Sequence, residues 1–262
     1  MGHIRLGQLP KTRNWVKVVD LLRVTDDPAR IANEVGKAAD RGLEFSKRDP
    51  GLAMVLSMLM KTVIAATNKD FAGALQDLNI TVPKETSLLD IVSGFDAALD
   101  KGLRRRGQRS DIAELARHSA VDALMDICKS ETGSLFGVSS QQTQEQLRKY
   151  ATTERFGHVG QNFFGKFLYR FLDYHLSREL PNHIGPNKLF SNISACERFK
   201  ENLALHCHQS ARIVREFIGC WPSATEYREG ISLENVQNKF MPVAFRKIKS
   251  ELRQRGGAYA SA

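Results

Sequence analysis

The chain has 262 residues, of which 42% are apolar and 26% charged, a balance that excludes disorder and supplies the core of one large or two small domains. A net charge of +9 and a pI near 9.5 favour anionic partners: nucleic acid, an acidic protein or an anionic membrane surface. A membrane span is not expected, because the most apolar run, Gly51–Ala66, is broken by Lys61 and falls short of the ~20 residues needed.

In chain order, Met1–Trp15 lacks the apolar centre of a signal peptide, and Leu6 stands where a myristoylation motif requires Ser or Thr. The spacing of Trp15, Val18, Val19 and Leu22 predicts a first helix over about 14–23. Asp27-Pro28 should open a second helix that Gly42 closes, and Asp49-Pro50 a third, apolar one over 52–66. A shorter helix is expected from Asn68 or Lys69 to Leu78, followed by the extended linker NITVPKETS, residues 79–87. Ser87 and Asp90 have the spacing of a capping box for a helix to about Leu103. The basic segment KGLRRRGQRS, residues 101–110, should be a helix end and exposed loop before a helix over 111–129.

Further on, residues 130–140 read as a loop and Ser139-Ser140 as the start of the next helix. A long helix is expected over 158–180, stopped by Pro181, and another from a Ser194 cap to about Ile218. CWPSATEYREG, residues 220–230, breaks the pattern before Ser232 opens a last helix ending near Arg255 at Gly256-Gly257. About ten helices with short connections predict an all-α, irregular multi-helix bundle. A soft boundary near 130–140 divides an N-terminal helical layer, 1–135, from a C-terminal one, 136–262, unless the two form one continuous domain.

Three groups of residues invite chemistry. In YRFLDYHLSRELPNHIG, residues 169–185, Arg170 stands five positions before His175 and Arg178 five before His183. That spacing is the short signature of HEPN-like helical ribonucleases, in which arginine stabilises charge on the scissile phosphate and histidine moves protons. On a regular helix, however, five steps leave Arg170 and His175 roughly 140° apart. Arg170 is expected instead to pair with Asp173, one turn away, while Pro181 frees Arg178 and His183 from helix geometry. Next, His206, Cys207 and His208 are metal-ligand types, but adjacent helical positions cannot chelate one ion, so His206 reads as a satisfied core histidine and no metal is expected. Lastly, Lys101, Arg104, Arg105, Arg106 and Arg109 form the densest basic segment and are candidate phosphate contacts. A second basic cluster, Arg246, Lys247, Lys249, Arg253 and Arg255, lies near the C-terminus, and Trp15, Trp221 and Tyr227 are candidate stacking surfaces. The four cysteines, Cys128, Cys196, Cys207 and Cys220, form no CxxC pair, which predicts reduced thiols in a cytoplasm. Walker A, GxGxxG, GxSxG and SxxK motifs are absent, so no cofactor is expected and binding is favoured over catalysis.

LARHSAVDALMDIC (Leu115–Cys128), NFFGKFLYRFLDYHLSRELPNHIG (Asn162–Gly185) and ALHCHQSARIVREFI (Ala204–Ile218) together resemble the helical half of QatB-like proteins. These are accessory proteins of bacterial anti-phage defence operons, encoded beside an ATPase, a homologue of a deazaguanine-synthesis enzyme and a TatD-like nuclease. The resemblance covers about half the chain. It implies a non-enzymatic scaffold, adaptor or modification target within a multi-component complex. By the same resemblance Gly2, exposed once Met1 is removed, would be the modified residue. The chain departs from that family in carrying helical patterns through its N-terminal half instead of a Gly/Ser/Pro-rich segment. Three functions therefore stand as expectations: a defence-complex component, an RNA-cleaving effector through an Arg–His pair, and a nucleic-acid-binding module through residues 101–109.

Overall fold

Local capping decides where most helices begin. In a computed structural model, which describes residues 13–83, 87–132, 139–219 and 231–258, the first helices are α1 (Arg13–Leu21), α2 (Pro28–Ala38), α3 (Asp40–Ser46), α4 (Pro50–Ala65) and α5 (Phe71–Asp77). Asp27 and Asp49 accept the first backbone N–H groups of α2 and α4, each followed by proline at the first helical position. Next come α6 (Leu88–Arg105), α7 (Asp111–Thr132) and α8 (Ser140–Tyr150). Both halves of a capping box are formed at Ser87–Asp90 and again at Ser139–Gln142. The remaining helices are α9 (Thr153–Leu176), α10 (Ile193–Ser210), α11 (Arg212–Gly219) and α12 (Met241–Ala258). A 3-10 turn, Leu180–His183, follows α9, and a π-helical stretch, Val236–Phe240, leads into α12. The protein is an all-α multi-helix bundle. Among the described residues there is no β-strand, only the isolated bridges Ser87–Ser139 and Ile184–Phe190.

Several expected boundaries are corrected. α2 ends at Ala38 rather than Gly42, and the bend at Ala39 lets Asp40 and Glu44 of α3 reach Lys249 of α12, at 2.5 and 2.8 Å. α9 starts at Thr153 because Thr152 caps it, and it ends at Leu176, before Pro181. Pro181 instead sits in the first turn of the 3-10 segment. Asn192, not Ser194, caps α10, its side chain accepting from Ala195 N–H at 2.9 Å. The expected single helix to Ile218 is two, separated at Ala211. α12 runs through Gly256-Gly257 to Ala258.

One apolar core includes Trp15 of α1, Leu56 of α4, Leu124 of α7, Phe167 of α9 and Leu252 of α12. Its centre is α9, packed against α7, α10 and α11, while α7 also packs against α4 and α6. Phe163, Phe167 and Phe171, spaced at i, i+4 and i+8, form a stacked ladder with centroids 6.3 Å apart, and Phe245 of α12 meets Phe167 edge-on at 5.9 Å. Full burial of each such side chain stabilises the fold by about 1.5–3 kcal/mol. Elsewhere, Gln144 of α8 donates to the carbonyls of Ala66 and Asn68, satisfying acceptors that the end of α4 leaves open. No helix among the described residues is long and apolar enough to cross a membrane.

Candidate functional site

The end of α6 builds the site. Gly107 adopts a left-handed φ of 62°, which a glycine accepts without steric cost. Its N–H donates to the Arg104 carbonyl at 3.1 Å, and Gln108 N–H donates to the Leu103 carbonyl at 3.0 Å. This paired closure ends the helix sharply and leaves the flanking arginines at the surface. Helical spacing then sorts the basic residues. Ala98, Lys101, Gly102 and Arg105 share one side of α6, whereas Asp100 and Arg104 lie together on another. Accordingly, Arg104 pairs with Asp100 at 2.7 Å, and Arg109 folds back onto the same carboxylate at 2.8 Å while lying 3.4 Å from Glu114. Those two arginines are neutralised locally.

The other three face a cleft of about 370 Å³. Its walls are α4 and α6, closed at one end by the segment after α5 and by Leu233. From α4 come Met54, Ser57, Met58 and Lys61, one stripe at i, i+3, i+4 and i+7. From α6 come Lys101, Arg105 and, just past its end, Arg106. Lys61, Lys101, Arg105 and Arg106 are all exposed, and among the described residues none of them forms an ion pair. One carboxylate, Asp77, lines the cleft with them. The space between the cations is lined by Met54, Met58, Leu78, Ala98 and Leu233, so a positive rim encloses an apolar floor.

The basic segment was thus legible as a site in part: Lys101, Arg105 and Arg106 converge, and Arg104 and Arg109 do not. Lys61 was missed. The sequence shows it only as a charge interrupting an apolar helix, although the i, i+3, i+4, i+7 spacing with Met54, Ser57 and Met58 is the signal that places it. In the second basic cluster, Lys249 is consumed by Asp40 and Glu44, and Arg255 pairs with Glu251 at 2.7 Å.

The expected Arg–His partners have separate surroundings. Arg170 does not pair with Asp173; it crosses to Asp122 of α7 at 2.5 Å. One turn away Lys166 meets Asp126 at 2.7 Å, so two ion-pair rungs tie α9 to α7. Asp173 is left half-buried, one carboxylate oxygen without a hydrogen bond and its carboxyl pushed up by burial. His175 is buried against Phe171, Tyr174 and Trp15, with ring centroids 5.4, 5.3 and 6.3 Å away. Neither ring nitrogen has a hydrogen-bond partner among the described residues, and burial pushes its pKa down to about 4. Arg178 lies over the Tyr174 ring at 4.6 Å and donates to its hydroxyl at 2.9 Å. His183 stands 3.3 Å from Glu179. His175 and Arg178 both touch Tyr174, and the Arg178 charge helps hold the imidazole neutral, but the two sides of each expected pair, Arg170 with His175 and Arg178 with His183, share no partner.

His206 is buried as expected, but it is not satisfied: its Nε2 has no partner, and burial lowers its pKa. Among the described residues no group of three or more His, Cys, Asp or Glu side chains is arranged to hold a metal ion. Cys128, Cys196 and Cys207 are buried, with no disulfide among the described residues, and burial raises the Cys128 thiol to about 12. Trp15 belongs to the core; Gly2, Cys220, Trp221 and Tyr227 lie outside the described residues. No protein family, curated protein or solved structure matches the chain.

Proposed function

We propose that this protein is a nucleic-acid-binding helical protein without catalytic machinery of its own, and that the cleft between α4 and the end of α6 receives the phosphate backbone. The observation that carries the reading is the unneutralised quartet Lys61, Lys101, Arg105 and Arg106 around one concavity. Guanidinium groups grip phosphate oxygens through paired donors, and lysines add mobile point charge. Clustered cations in a low-dielectric cleft also concentrate polyanions from solution. Within the multi-component defence assembly that the QatB-like resemblance implies, this chain would hold nucleic acid rather than cut it. The RNA-cleaving alternative gains little from geometry, because Arg170 turns to Asp122 and His183 to Glu179, so neither expected Arg–His pair comes together.

Fluorescence anisotropy with labelled oligonucleotides tests the reading. Four phosphate contacts predict that log K falls against log salt with a slope of about −3 for single strands. Lys101→Glu with Arg105→Glu should abolish binding at moderate salt. Arg104→Glu with Arg109→Glu makes the same charge change outside the cleft, where Asp100 already pairs with both arginines, and should cost far less. Equal losses from both sets of substitutions, or no binding by the wild type at low salt, would sink the proposal.

A further inference from the structure

The cleft combines two chemistries that a backbone contact alone does not need. Its rim is cationic, but its floor is apolar, built from Met54, Met58, Leu78, Ala98 and Leu233. Its volume, about 370 Å³, lies in the small-molecule range rather than that of a shallow charged surface. Close approach of the two helices shapes it. A Cβ at Gly102 would stand 2.1 Å from Met54 Cε, so the missing side chain gives the methionine its room. Ser57 and Asn79 add a few polar groups to the lining, with Asn79 held in a left-handed conformation at φ 61°.

A duplex keeps its bases stacked inside and presents phosphate to a surface of this kind, leaving an apolar pocket unused. A single strand can turn one base out of its stack. We infer that the cleft is specific for single-stranded nucleic acid, one unstacked base entering the floor while flanking phosphates engage Lys61, Lys101, Arg105 and Arg106. The base would lie against Met54 and Met58, whose polarisable thioethers make favourable contacts with aromatic rings and adapt to any of the bases. Sequence selectivity should therefore be slight, since every base offers a π-face. This inference rests on the proposed nucleic-acid-binding role and adds which form is bound.

The test compares oligonucleotides of equal length and charge: a single strand with bases, the same backbone made abasic, and the annealed duplex. With wild-type protein the base-containing strand should bind about tenfold tighter than the abasic one, and tighter than the duplex. Met58→Ala should bring the ratio of the two affinities towards one, with circular dichroism confirming the fold. The oligonucleotide comparison needs no variant, so a folding failure of Met58→Ala does not rescue the idea. Equal affinity for abasic and base-containing strands, or preference for the duplex, overturns the inference but leaves polyanion binding intact. Absence of binding to all three at low salt overturns both.

Discussion

Arg170 of α9 donates to Asp122 of α7 at 2.5 Å across 48 residues of sequence. The pair sits one helical turn from Lys166–Asp126, so the positions at 122 and 126 match those at 170 and 166 in antiparallel order. Both rungs are partly exposed, which screens them and holds each to about 0.5–1 kcal/mol. An arginine that looks like half of a catalytic pair is here a strut between two core helices. A double-mutant cycle with Arg170→Ala and Asp122→Ala should give a coupling of about 0.5–1 kcal/mol in urea denaturation. Purely additive losses would mean that the two side chains do not act on each other in solution.

His175 makes the fold sensitive to acid. Above about 6.5, its ordinary pKa, the imidazole is neutral in both folded and unfolded chains and adds nothing to the pH dependence of stability. Between there and about 4 the unfolded chain takes up a proton that the buried ring refuses. Stability must fall as pH drops through that window and level off below it, by roughly 3 kcal/mol in all. His158, His206 and His208, also lowered by burial, add losses of the same sign. Asp173, raised by burial, works in the opposite direction, so a comparison with a variant isolates His175 better than the raw slope does. His175→Phe keeps the aromatic contacts and removes two unpartnered nitrogens. It should match or exceed wild-type stability at pH 7, with the gap widening by pH 4.5 in urea melts. Parallel pH profiles for the two proteins would show that His175 takes up its proton as readily in the folded chain as in the unfolded one.

What the sequence disclosed divides by distance along the chain. Capping boxes at Ser87–Asp90 and Ser139–Gln142 are written within four residues and could be read directly. The breaks at Ala39 and Ala211 carry no glycine or proline, and nothing local marks them. At Ala39 the contacts that accompany the break are remote: Asp40 and Glu44, just past it, pair with Lys249 from the far end of the chain. The same rule governs the cleft. Lys101, Arg105 and Arg106 are neighbours in sequence, while Lys61 joins them only because α4 lies beside α6. Asp100, four residues before Arg104, could have signalled that not every arginine in the run is free. Its hold on Arg109 depends on the turn at Gly107.

Two glycines inside helices should respond oppositely to alanine. Alanine is favoured over glycine in a helix interior by about 1 kcal/mol, which acts at both positions. At Gly36 of α2 the nearest outside atom to an added Cβ would be Leu252 Cδ1 at 3.9 Å, an ordinary contact. The propensity gain then survives, and Gly36→Ala should stabilise by up to ~1 kcal/mol. At Gly165 of α9 the same Cβ would stand 2.9 Å from His208 Cα and 3.2 Å from its Nδ1. Backbone cannot swing aside as a side-chain tip does, so α9 and α10 must separate. Overpacking of this kind costs about 1–3 kcal/mol and outweighs the propensity gain at most of that range. Gly165→Ala should therefore lower the urea midpoint while Gly36→Ala raises it. A gain at Gly165 equal to that at Gly36 would mean that α9 and α10 are not in close backbone contact, and the packing described around the Phe163–Phe171 ladder would fall with it.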